Sequence, residues 1–299
     1  MSNSIDFIRY LSAKQTVDDR ALNRHVWDAL QNALPVVDKL RVVELGAGIG
    51  TMLERMIARG LFSGAVEYVL VDENAENIQE AHTRLAPLLL QHPHLEATFI
   101  TAEAFEWAST PHQHGQYDLL VANAFLDLVN LAEALRQFWA LLKPNGLFYF
   151  TITFDGVSAF LPPHPVDPQI ERWYHADMDA RLHRGQPTGG SQAGRALLQH
   201  ILESEATVLS AGSSDWLVLP QQGGYPADEA IFLHAILNTV EGALTNHPHL
   251  QAHDLADWMA VRRAQVEAGT LTYLAHQLDL VGVLPSTFTQ PTDEAHHEI

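Results

Sequence analysis

The chain has 299 residues, 47% of them hydrophobic and none of them cysteine, so it can bury a large core but can form no disulfide, thiolate metal site or cysteine nucleophile. Its 17 Lys+Arg against 36 Asp+Glu give a formal net charge of -19, which repels phosphate and discounts nucleic acid and anionic membrane as partners. No run reaches the roughly 18 apolar residues of a membrane span, and no basic-then-apolar leader opens the sequence, so the expected location is cytoplasmic.

Residues 5–12 and 17–33 are predicted as two helices. Leu22, Val26, Leu30 and Leu34 recur at helical spacing, and Pro35 ends the second helix. A strand follows over 40–45, then a helix over 51–59 stopped by Gly60. Strand 66–71, helix 75–90, strand 97–101 and strand 117–122 continue the alternation. A helix over 131–142 closes on the turn Lys143-Pro144-Asn145-Gly146, and strand 147–154 comes next. Strands alternating with helices predict an α/β fold with a mostly parallel, doubly wound sheet.

The rhythm changes after residue 155, where Pro162-Pro163-His164-Pro165 breaks the chain. Two or three helical segments are predicted up to about 202, then a strand over 206–210 and helices over 228–244 and 250–268. The segment 270–281 reads as a final strand, with a helix as the alternative. The tail from Ser286 is polar and expected to be loose.

One loop carries chemistry. Val42-Val43-Glu44-Leu45-Gly46-Ala47-Gly48-Ile49-Gly50 leaves a strand and enters a helix. Glycines let the backbone turn tightly and let a ligand approach closely. The helix N-terminus behind them presents free N–H groups to an anionic group. The dinucleotide fingerprint G-x-G-x-x-G is not met: the third glycine is one residue early, and Thr51 stands where it is required. Asp72 ends the next strand, about 20 residues on, where an acid can accept ribose hydroxyls.

This E-x-G-x-G-x-G loop, with Asp72, resembles the Rossmann-like (class I) S-adenosyl-L-methionine (SAM)-dependent methyltransferases. Glu103-Ala104 resembles that family's acid-Ala pair after strand three. The stretch from Tyr117 to Asp127 resembles its fourth strand, and the turn at Lys143 to Gly146 its entry to strand five. The resemblance covers about residues 38–154. It implies a seven-stranded sheet ending in an antiparallel hairpin, with a helical cap built from insertions. It further implies SAM as cofactor, bound by Glu44, Gly46, Ala47, Gly48 and Gly50, with Asp72 and Glu73 at the ribose and Glu103 and Ala104 at the adenine. Asn123 and Asp127 would face the reaction centre.

The expected organisation is N-terminal helices over 1–37 that can act as a lid, a SAM-binding core over 38–154 and a helical substrate cap over 155–205. The end of the sheet, with a second helical insertion, would occupy 206–285, and the loose tail 286–299. If the N-terminal helices close over SAM, Tyr10, Lys14 and Arg20 come within reach of its carboxylate. Trp173, Tyr174 and Trp216 are the candidate substrate contacts. Methyl transfer is an in-line displacement that needs alignment and exclusion of water, and an acidic acceptor must first lose a proton. His175, whose ordinary pKa lies near neutrality, His164 and Asp127 are the candidate bases, beside a base-free mechanism that relies on proximity. The 17 histidines show no metal-ligand spacing, so no metal is expected.

The acceptor is expected to be a small molecule, methylated on oxygen or nitrogen. An aminopropyltransferase, which uses decarboxylated SAM, would carry acids where Ala122-Asn123-Ala124 stands. A catalytically silent SAM-binding protein stays open as the other reading.

Overall fold

The apolar runs of the first half are short and apolar throughout, as strands buried on both faces require. In the computed structural model, which describes residues 6–287, they form the inner strands of one sheet. Three helices open the chain: α1 (Phe7–Ala13), α2 (Gln15–Ala21) and α3 (Arg24–Ala33). The helix expected over 17–33 is broken at Leu22–Asn23. There the Asn23 side chain accepts hydrogen bonds from the His25 and Val26 N–H groups and starts α3 afresh.

The core then runs β1 (Lys39–Leu45), α4 (Thr51–Ala58), β2 (Ala65–Asp72), α5 (Ala75–Gln91), β3 (Leu95–Thr101), α6 (Ala104–Ala108), β4 (Tyr117–Asn123), α7 (Leu131–Phe138) and β5 (Leu142–Leu161). Next come α8 (Asp167–Ala180), the two-residue strands β6 (Leu182–His183) and β7 (Gln186–Pro187), and α9 (Ala193–Leu202). The last elements are β8 (Thr207–Ser213), β9 (Trp216–Val218), α10 (Glu229–Leu244), α11 (Ala252–Glu267) and β10 (Thr272–Val283). The segment 270–281 is therefore strand, with side chains alternating between buried and half-buried over much of its length.

The sheet order is β3-β2-β1-β4-β5-β10-β8, with β9 paired to β10 as an eighth strand beyond the expected seven. The strands from β3 to β5 run parallel, and β10 is antiparallel to β5, β8 and β9. The chain steps outward from β1 through β3 and returns on the other side at β4. A crevice opens at the carboxyl ends of β1 and β4, where open α/β sheets bind ligands. Leu30, Met56 and Leu85 pack on one face of the sheet; Phe105, Phe138 and Leu197 pack on the other.

Two expectations about residues 142–205 are corrected. The turn at Lys143 to Gly146 is a bulge inside β5, with the pairing to β4 shifting between Tyr117 and Leu119 and Asn145 left-handed. The region 155–205 is not wholly a helical cap. Its first seven residues continue β5 and pair with β10 as far as Leu161 opposite Thr272. Its last helix, α9, buries Ala193, Leu197 and Ile201 in the core. What stands above the sheet is α8, packed on α10, with α11 behind and α1 against α10. Buried Arg262 of α11 clamps this group: its Nη2 donates to both oxygens of Asp167 on α8 at 2.6 and 2.7 Å, and its Nη1 donates to the Pro162 carbonyl at 2.7 Å. Residues 288–299, most of the expected tail, lie outside the described residues. Among the described residues, no helix is long and apolar enough to cross a membrane.

One buried carboxylate ties the N-terminal helices to the sheet. Asp279 Oδ2 accepts the Asn23 N–H at 2.8 Å, and its Oδ1 accepts the Ile152 N–H at 2.8 Å. Ile152 has a φ of 56°, a conformation that costs a β-branched residue energy and needs surrounding bonds to persist. Asp279→Ala leaves both N–H groups buried without a partner. The expected loss is about 2–5 kcal/mol, read as a lower urea midpoint.

Candidate functional site

The loop after β1 is left-handed at Gly46, Gly48 and Gly50, with φ of 68°, 53° and 78°. A Cβ on Gly46 would come within 2.5 Å of the Phe125 ring, so that position must be bare. At Gly48 the only neighbour a Cβ would meet is Leu11, at 3.4 Å, and its N–H donates to Asp72 Oδ2 at 2.8 Å. The glycine therefore leaves open space beside a backbone already fastened to the next strand.

A cavity of about 250 Å³ lies over this loop. Of the expected cofactor residues, Glu44, Gly46, Ala47, Gly48, Asp72, Glu73, Glu103, Ala104 and Asn123 all line it. Gly50 does not line it. Gly50 is the N-cap of α4, and a Cβ there would strike Leu85 at 2.7 Å, so its work is packing.

Asp72, Glu103, Asn123 and Glu44 each have a structural partner. Asp72 Oδ1 accepts from the Asn74 N–H and from Asn77 Nδ2, both at 3.0 Å. With the bond from Gly48, three of its roughly four acceptor sites are filled. Glu103 caps α6 by accepting the Glu106 N–H at 2.9 Å, and its Oε1 lies 3.8 Å from His183 Nε2. Asn123 Oδ1 accepts the Thr151 hydroxyl at 2.8 Å. Glu44 is buried and accepts the Tyr68 hydroxyl at 2.8 Å. Burial pushes its carboxyl up to about 8, with the Tyr68 bond and the charge of Arg55 opposing.

The same cavity is lined by residues the sequence reading left out: Phe7, Leu11, Asn74, Asn77, Phe125, Leu128, Val129 and His183. Asn74 carried a signal, since it stands before a helical run as a capping residue and follows Asp72 by two. His183 carried none, because it arrives on β6, far along the chain.

A second chamber of about 1730 Å³ lies between α1, β5, α8 and α10. Phe7, Leu11, Lys14, Ala124 and Leu128 line both spaces, so the chamber adjoins the loop cavity along one wall. Asp127, Tyr174 and Trp216 line the chamber, as do Tyr10 and Lys14. The indole of Trp216 donates to Asp18 at 2.8 Å, which fixes the ring. Arg20 lines neither space and is held by Glu229, with Nη2 to Oε2 at 2.9 Å. Trp173 stacks on His247 and His249, with ring centroids 4.7 and 5.1 Å away, and is not part of the chamber wall.

The candidate bases separate in the same way. His164 Nδ1 accepts the Val166 N–H in the turn before α8 and lines neither space. His175 lies behind the wall, with Nε2 3.4 Å from Ser158 Oγ and its ring edge-on to Phe154, both of which line the chamber. Burial lowers its imidazole pKa, which favours the neutral ring. Asp127 is the candidate that reaches the space directly. Its Oδ1 is buried without a hydrogen-bond partner among the described residues, and burial raises its carboxyl pKa.

Residues 43–148 match a family model described as a methyltransferase domain. No curated protein matches the chain. Among solved structures it is similar to a SAM-dependent methyltransferase from Geobacter sulfurreducens in complex with S-adenosyl-L-homocysteine, at 16% identity over 89% of this chain and 92% of that one, TM-score 0.48. It is similar to the YcgJ protein from Bacillus subtilis at 14% identity, over 88% and 99% of the two chains, TM-score 0.46. It is also similar to geranyl diphosphate C-methyltransferase from Streptomyces coelicolor in complex with Mg2+, geranyl diphosphate and S-adenosyl-L-homocysteine, at 14% identity over 86% and 75%, TM-score 0.42.

Glu44 gives the site a pH signature. Its ordinary value is 4.5 and its folded value about 8, so the folded chain holds the extra proton between them. Stability contributed by this group is present below the ordinary value and is lost as pH rises towards the folded one. The slope from one such group is at most about 1.4 kcal/mol per pH unit. Glu44→Gln should flatten the fall in unfolding free energy by up to that slope when urea titrations are run across this window.

Proposed function

Since residues 43–148 match a family model described as a methyltransferase domain, we propose that the chain transfers the methyl group of SAM to oxygen or nitrogen of a small molecule held in the large chamber. The observation that carries this reading is the shared wall. The loop cavity and the chamber meet along Phe7, Leu11, Lys14, Ala124 and Leu128, so a cofactor in one lies next to an acceptor in the other.

The residues present fit the cofactor. Gly48 leaves bare backbone on the cavity side, and Asp72 keeps acceptor capacity after its three bonds. Asp72 and Glu73 would hold the ribose hydroxyls, the glycine loop the amino-acid end, and Glu103 and Ala104 the adenine edge. When bound, SAM supplies an electrophilic methyl carbon on a sulfonium. The chain's own part is to hold the acceptor in line and keep water out. Phe7 and Leu11 of α1 cover the shared wall, and Asp127 is the carboxylate placed to take a proton from the acceptor. A net charge of -19 favours neutral or cationic acceptors over polyanions.

Binding of SAM and S-adenosylhomocysteine tests the cofactor site. At ligand a hundredfold above Kd, mass action adds about 2.7 kcal/mol, a rise in Tm of about 4 °C for a chain of this length. Asp72→Ala should abolish that rise while circular dichroism keeps its native form. A folded sample that responds to NADH or decarboxylated SAM alone, or to no ligand, would refute the reading. Incorporation of a methyl group into acceptors, read by mass spectrometry, completes the test.

A further inference from the structure

Most of the charged side chains that line the chamber are paired within the protein. Lys14 lies 3.4 Å from Asp18, and Arg181 donates twice to Asp177, at 2.8 and 3.1 Å. Arg263 is bonded to Glu241, and His234 to Glu267 at 2.9 Å. Asp6 caps α1 and Arg9 is exposed at the same end. Asp127 differs: Lys14, Arg181 and its own backbone N–H act on the carboxyl, yet its Oδ1 is buried with no hydrogen-bond donor among the described residues. A buried carboxyl in that state costs free energy unless a ligand supplies the missing donor.

The wall around it is aromatic. Tyr10, Phe154, Tyr174, Trp216 and Tyr273 all line the chamber. Aromatic faces attract a cation, more strongly when it is desolvated. The chamber is also large: its 1730 Å³ exceeds the roughly 300–1,000 Å³ usual for small-ligand pockets.

We propose that the acceptor is a bulky, largely apolar amine, bound as its ammonium against Asp127 and enclosed by the aromatic wall. This rests on the chamber being the acceptor site. The ammonium gives one proton to Asp127, and the freed nitrogen lone pair forms the N–C bond to the methyl carbon. The C–S bond breaks with its electron pair left on sulfur, and the proton on Asp127 passes to solvent.

The test uses the full chain saturated with S-adenosylhomocysteine, titrated by calorimetry with tryptamine and with its neutral counterpart tryptophol. Wild type should bind the amine at least about tenfold more tightly than the alcohol, a difference of about 1.4 kcal/mol. Asp127→Asn should erase that preference while binding S-adenosylhomocysteine as wild type does, which also shows that the variant is folded. Equal binding of the two ligands to wild type, binding of neither, or a preference that survives in Asp127→Asn overturns the proposal. Failure of wild type to bind S-adenosylhomocysteine refutes the methyltransferase-site reading beneath it, and that result is separate from the amine comparison.

Discussion

The bond from the Gly48 N–H to Asp72 Oδ2 joins the loop after β1 to the end of β2, and the site is built outward from it. A left-handed glycine loop has no side chains of its own to hold its shape. Asp72 supplies the fixed point and is itself fixed by Asn74 and Asn77 at the start of α5. The loop, the carboxylate and the next helix therefore form one rigid unit. Replacing Asp72 would change the cavity lining and also release the loop that shapes the cavity, so the two effects are coupled at this residue.

The second constraint is the way the chain roofs the sheet. β5 and β10 run past the core as a long antiparallel pair, and α8, α10 and α11 are mounted on that extension. Arg262 locks α11 to Asp167 at the start of α8, and Asp279 locks the start of α3 to the left-handed turn at Ile152. Ile152 lines the chamber, so the strain in β5 sits on the chamber floor. The walls are thus set by buried ion pairs and carboxylate–backbone bonds on elements distant in sequence.

That distance explains what the sequence made legible. The loop from Glu44 to Gly50, Asp72 and the Glu103-Ala104 pair are local signals: each sits at a strand end with a fixed neighbour, and all but Leu45 and Gly50 line the cavity. Gly50 looked the same in sequence because packing against Leu85 and exposure to a ligand both demand a missing Cβ. The chamber was harder to read. Trp173 and His175 lie on the same helix as Tyr174, yet only Tyr174 reaches the space. Which of three adjacent side chains points inward depends on the rotation of α8, and Arg262, almost one hundred positions later, helps to set it. Likewise 155–161 carried no mark of strand, since its partner, β10, comes only after α10 and α11.

Lys14 stands where these two systems meet, since it lines both the loop cavity and the chamber. Its ammonium is held by Asp18 and lies 5.5 Å from the Trp216 ring, while Asp18 also accepts the indole N–H of Trp216. The one cation on the shared wall is therefore neutralised locally and anchored to the roof through Asp18 and Trp216. An uncompensated cation here would repel a sulfonium on one side and an ammonium on the other. With Asp18 as its partner, Lys14 closes the wall sterically between the loop cavity and the chamber that Asp127 lines.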